Sequence, residues 1–225
     1  MIRIGKFIKS VIFNKTMIPE IEFRWSFIYQ EEIHLPERES YNRNTWEKYV
    51  NVFVLKLKKE WNENGYGILE YMEQITGLKW KENKIICYII KMSEFGPISD
   101  PLTIPVQLKH KKDIFTLTIE RFFDMLTHEL IHNLFIQNED RLNKYFYSLI
   151  NKKYKNLSWN IAIHIPVHAI HKEIFDKFFE KKRFKEEIKA CSYYPEYKKA
   201  WDITLEDGSK KIIEDLRKSL IIDYK

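Results

Sequence analysis

Cysteine and glycine are both scarce in this chain, at 2 and 6 of 225 residues. Few glycines argue against an architecture built on many tight turns and favour regular structure dominated by helix. Cys87 sits in an apolar run and Cys191 in a polar, aromatic stretch, with no C-x-x-C pairing, so neither a disulfide scaffold nor a zinc ribbon is expected. Both read as reduced thiols. Cys191 is also a looser candidate to approach a metal and keep it latent. Long apolar runs are missing too: nothing approaches the roughly 18 uninterrupted residues of a membrane span. The basic segment from Met1 to Phe13 is interrupted too often to be a secretory core. A cytoplasmic protein with no membrane partner is the expectation.

What is present suffices for a core: 44% of the residues are hydrophobic and 15% aromatic. A single domain over residues 1–225 is expected, with an N-terminal arm or strand over 1–42 and a C-terminal extension over 183–225. The formal charge of +6 would suit a polyanion. Yet the lysines alternate with acids, as between Lys177 and Lys189 where Glu180, Glu186 and Glu187 intervene. That pattern describes a solvated helix face, so a nucleic-acid partner is not favoured.

Alternation over Glu20 to Tyr29 predicts a strand or extended arm. A helix capped by Asn44 or Thr45 is expected to run to about Asn62, with Trp46, Val50, Phe53, Leu55 and Leu57 buried, and Asn64-Gly65 ends it. A second short helix follows from Gly67 to Thr76, closed by Gly77. Lys84 to Met92 is the strongest strand, central to a small sheet. Leu102 to Leu108 looks extended, but Pro105 demotes it to an edge. Helical spacing of apolar residues covers 113–138, a polar link covers 138–157, and another helical stretch runs from Ser158 to Lys182. After the turn at Glu206 to Ser209 comes a last amphipathic helix to about Ile222.

The chemistry is concentrated in His128-Glu129-Leu130-Ile131-His132. Histidines four apart share a helix face, with Cβ atoms about 5–6 Å apart, so both imidazoles can reach one metal ion. Glu129 projects about 100° round the helix, where it can touch a water held by that metal. A chance match to the pentad is expected only about 0.02 times in a chain of this composition. The plain alternative is two ordinary helix histidines flanking a solvated glutamate. Catalytic zinc sites typically use three protein ligands and keep a fourth position for water. The metzincin continuation is absent, since Phe135 stands at its glycine and Asn138 at its third histidine. The third ligand must lie downstream, where His164, His168 and His171 are spaced by four and three. If Pro166 is the first residue of a helix, His168 lies in its first turn and His164 in the approach.

Here the chain resembles the gluzincin-like zincins, in which a helix downstream of H-E-x-x-H delivers a third ligand followed by small and apolar residues. Val167-His168-Ala169-Ile170 is similar to that helix, with histidine in place of the usual glutamate. The resemblance implies an α+β, zincin-like fold: a small mixed sheet packed on the active-site helix, plus a downstream ligand helix. It also implies Zn2+ held by His128, His132 and His168, with His164, Glu173 and His171 ranked behind His168. Glu129 would be the general base, and His164 would support a ligand or the oxyanion, a role for which Tyr193, Tyr194 and Tyr197 also compete. The implied activity is a metallopeptidase acting on a peptide or protein lying along Leu102 to Leu108. Two other readings compete: a DNA-associated protease of the SprT-like kind, and a non-catalytic zinc-binding or regulatory protein.

Overall fold

The alternating residues of Glu20–Arg24 form β1, with Ile21 and Phe23 buried and their neighbours turned outward. The computed structural model describes residues 17–33, 42–93, 96–110 and 113–221. The basic segment 1–13, residues 34–41 of the expected arm, and Ile222 at the expected end of the last helix lie outside them. The strand stops at Arg24, short of the expected Tyr29. Ser26 instead caps a helix, α1 (Phe27–Ile33): its hydroxyl accepts from the Tyr29 amide at 3.3 Å and its carbonyl from that of Gln30 at 3.0 Å.

The β-branched run expected at the centre of a sheet is there as β2 (Lys84–Ser93). It lies between β1 and β4 (Leu102–His110), parallel to both. The two-residue strand β3 (Ile98–Ser99) and β5 (Asp113–Thr116) pair antiparallel with the other side of β4. The sheet order is β1-β2-β4-β3, with β5 also on β4, so the fold is α+β with a small mixed sheet. This corrects the edge position expected for Leu102 to Leu108. Pro105 is tolerated because β3 pairs only as far as Thr103 and β5 only from Gln107, leaving a break in that ladder around the proline.

Between β1 and β2 the chain crosses over through α2 (Arg43–Thr76), a single helix of 34 residues. Its cap is Asn42, whose side chain accepts from the Thr45 amide at 3.1 Å, and Gly77 at φ 76° closes it. Gly65 does not break it. A Cβ there would lie 2.3 Å from the Trp61 ring, so this glycine makes room for an indole. The stripe Trp46, Val50, Phe53, Leu57 and Trp61 faces the core, whereas Leu55 is off the stripe and 69% exposed.

The helical pattern expected over 113–138 is divided: β5 takes the first residues, and Thr118 caps α3 (Ile119–Gln137) by accepting from the Arg121 amide. Phe122, Phe123, Leu126, Leu130 and Leu134 are its buried stripe. The expected polar link is itself helical, with α4 (Glu139–Tyr145), a π-helical turn (Phe146–Ile150) and α5 (Asn151–Lys153). Then come α6 (Trp159–Phe178), capped by Ser158, α7 (Lys181–Cys191), α8 (Pro195–Asp207) and α9 (Ser209–Ile221). Trp201, Ile212, Ile213 and Leu216 of the C-terminal stretch are buried with the rest of the core. Among the described residues, no helix is long and apolar enough to cross a membrane.

Candidate metal centre

With Thr118 fixing the start of α3, its apolar stripe turns to the core and His128, Glu129, His132 and Asn133 fall on the flank facing α6 and β3. The Nε2 atoms of His128 and His132 are 3.2 Å apart. His164 of α6 completes the group: one ligand atom from each of the three histidines lies within 4.8 Å of the others. The ring centres are 5.0 Å apart for His128 and His132, 5.4 Å for His128 and His164, and 4.9 Å for His132 and His164.

A tetrahedral zinc with Zn–N bonds of 2.0–2.1 Å holds its nitrogens about 3.3 Å apart, so the pentad pair stands at coordination distance. The tautomer of His164 fits as well. Its Nδ1 donates to the Asn160 carbonyl one turn earlier at 2.6 Å, which leaves the Nε2 lone pair for a metal. Burial lowers the pKa of all three imidazoles, taking His132 to about 3 and His128 well below its ordinary value. They are held neutral, the form in which imidazole ligates. The donor set therefore fits a divalent ion of the zinc type.

Burial pushes the Glu129 carboxyl up to about 7, against the opposing pull of a hydrogen bond from Ser99. That hydroxyl donates to Oε2 at 2.5 Å. Asn133 anchors the same strand by donating to the Ser99 carbonyl at 3.1 Å, and Gln137 donates to Asn133 at 2.7 Å. Tyr197 of α8 closes another side, its ring 4.4 Å from that of His164 and 6.0 Å from that of His128. Burial raises its pKa, so the phenol remains a proton donor. Tyr193 and Tyr194 are exposed, which separates Tyr197 from its sequence neighbours.

The histidine that the structure groups with the pentad is His164, which the sequence places second, behind His168. Pro166 lies inside α6 rather than at its start, because Ser158 caps the helix further back. The residue facing the pentad therefore shifts one turn earlier. His168 is fully buried, stacked on Trp201 with ring centres 4.2 Å apart and planes 9° apart. Neither of its ring nitrogens has a hydrogen-bond partner among the described residues. His171 is buried beside Phe175, and Glu173 accepts from Ser209 at the start of α9 at 2.6 Å. The Cys191 thiol donates to Glu187 at 3.1 Å and stays out of the group; burial pushes its pKa up, so it remains protonated.

Sequence reasoning missed Ser99, Asn160 and Trp201. Asn160 was recoverable in principle, since it lies four residues before His164 once the helix start is known. Ser99 and Trp201 reach the site only through tertiary packing. No family model matches the chain, and neither a curated protein nor a solved structure matches it.

Proposed function

We propose that this chain is a zincin-like metallopeptidase that hydrolyses peptide bonds, with His128, His132 and His164 holding Zn2+ and Glu129 acting as general base. The observation that carries this reading is the group of three neutral imidazoles, two buried and His132 half-buried, with a buried carboxyl next to one of them in sequence. Zinc in such a site supplies a water acidified to near neutrality and a Lewis acid for the scissile carbonyl.

The remaining chemistry belongs to the chain. Ser99 occupies Oε2 of Glu129, which leaves Oε1 to take the water's proton and pass it to the leaving amine. Asn160 fixes the ring of His164, as outer partners of ligating histidines do. The Tyr197 phenol, its ring beside that of His164, would be the donor to the oxyanion that forms on the substrate. β3 ends the sheet on the Glu129 side, so an extended peptide adding to that edge would run past the carboxyl.

Glu129→Gln tests this directly. It keeps the three imidazoles and removes the base, so the variant is expected to retain zinc and lose peptide hydrolysis by about 10²- to 10⁴-fold. Zinc content by elemental analysis and cleavage of a quenched peptide library give the two readings. A zinc-loaded variant that cleaves at the parent rate overturns the proposal.

A further inference from the structure

The histidines of the site form two pairs with the same spacing on facing helices: His128 and His132 on α3, His164 and His168 on α6. Each pair is four apart, the spacing that lets both rings reach one ion. We propose that His168 is a fourth imidazole ligand, closing the centre in the resting protein and leaving it when substrate enters. This rests on the metal site of the preceding section.

Three observations carry it. The His168 ring centre is 5.6 Å from that of His128 and 5.6 Å from that of His164, close to the 5.4 Å between those two. Four imidazoles on a tetrahedral ion, with bonds of 2.0–2.1 Å, have ring centres about 5 Å apart. His168 is 0% exposed, and both of its nitrogens lack partners among the described residues. A buried polar group left unpaired costs free energy, and such groups in native proteins point to a water or an ion. The stack on Trp201, with planes 9° apart, fixes the plane of the His168 ring beside the group.

Total burial also argues against direct substrate contact by His168 in this conformation. A centre with four protein ligands is closed, whereas one with three keeps a position for water. Exchange between the two forms needs no redox chemistry. His168 would leave as a neutral imidazole, with water or the substrate carbonyl taking its place, and no net proton or electron would be transferred.

Cobalt(II) in the full-length chain gives readouts that do not depend on activity. The parent is to be compared with His168→Phe, which keeps a ring against Trp201, and with His168→Leu, which fills the site without one. The azide-free parent is expected to show four nitrogen ligands by X-ray absorption, and its visible spectrum to need more added azide to shift than that of either variant. In the variants one nitrogen gives way to oxygen and azide shifts the spectrum. Cobalt affinity should fall by at least the roughly tenfold that losing an outer partner of a metal ligand costs. If X-ray absorption of the azide-free parent shows three nitrogens and an oxygen, His168 is not a ligand in the resting protein, while the three-histidine centre stands. If the parent binds no cobalt, both readings fall. The parent alone decides these outcomes, so they hold even if a variant fails to fold.

Discussion

Glu129 is placed where its charge is costly to the fold. At 4% exposure its carboxyl is raised from 4.5 to about 7, chiefly by burial. Below pH 4.5 it is protonated in both folded and unfolded chains, and the fold bears no penalty. As the pH rises from 4.5 to about 7 the unfolded chain ionises this carboxyl while burial keeps it protonated in the native state, so stability is lost across that interval and the full penalty persists above it. At 1.36 kcal/mol per pH unit, the interval corresponds to about 3 kcal/mol. The buried histidines act in the opposite direction: their lowered pKa costs stability as the pH falls below about 6.5. A Glu129→Gln apoprotein retains those histidines, so its difference from the parent isolates the carboxyl. Urea unfolding with chelator present is expected to show near-equal stability at pH 4, a variant more stable by about 1 kcal/mol at pH 5 and by about 3 kcal/mol at pH 8.5. An equal difference at all three pH values would mean the carboxyl is not desolvated. The pentad was legible from sequence because two ligands and a base fall within five residues of one helix. His164 is less legible, because Pro166 suggests a helix start that the Ser158 cap places further back. Glu196 of α8 accepts from Ser158 and from Asn160, the latter at 2.7 Å, fastening the start of α6 through contacts that sequence order does not reveal.

At the scale of the element, α2 shows how packing overrides punctuation. Asn64-Gly65 reads as a stop, yet the helix runs through it because Trp61 folds its indole over the space a side chain would take. That ring also meets Phe23 with centres 6.2 Å apart and Phe123 with centres 5.4 Å apart, so it has little room to retreat. Gly65→Ala should gain about 0.5–1 kcal/mol in helix propensity. It would lose about 1–3 kcal/mol to overpacking against the indole. Net destabilisation is expected, read as a lower urea midpoint at unchanged slope; a variant as stable as the parent would show that the indole yields. The elements read correctly were those whose periodicity matches their burial: β2, the first residues of β1, the stripe of α3 and the amphipathic α9. Those misread depend on partners elsewhere. β5 is a strand because β4 offers it an edge, and α4 lies within a stretch too polar to announce a helix.

Across the whole molecule, the stretch after residue 182 is part of the core and of the site. Arg183 donates to Asp124 of α3 at 2.8 Å and to Glu60 of α2 at 3.1 Å, tying α7 to both helices. Tyr197 and Trp201 of α8 cover the histidines of α6, and Ile212, Ile213 and Leu216 of α9 are buried. A tail that merely shielded the cleft could be removed to unmask activity. This one cannot, on the magnitudes involved. Truncating a single buried tryptophan such as Trp201 costs about 3–5 kcal/mol, and a buried leucine or isoleucine about 2–5. Deleting Trp201, Ile212, Ile213 and Leu216 together therefore matches or exceeds the whole stability of an ordinary domain, about 5–15 kcal/mol. It would also strand Asp124, 2% exposed, without the Arg183 guanidinium. A chain ending at residue 182 should accordingly lose its cooperative melting transition and elute as aggregate, with or without zinc. Circular dichroism melts and size-exclusion chromatography read both. A truncated chain that melts cooperatively near the parent's temperature and cleaves peptides faster would instead make the C-terminal helices a removable cover.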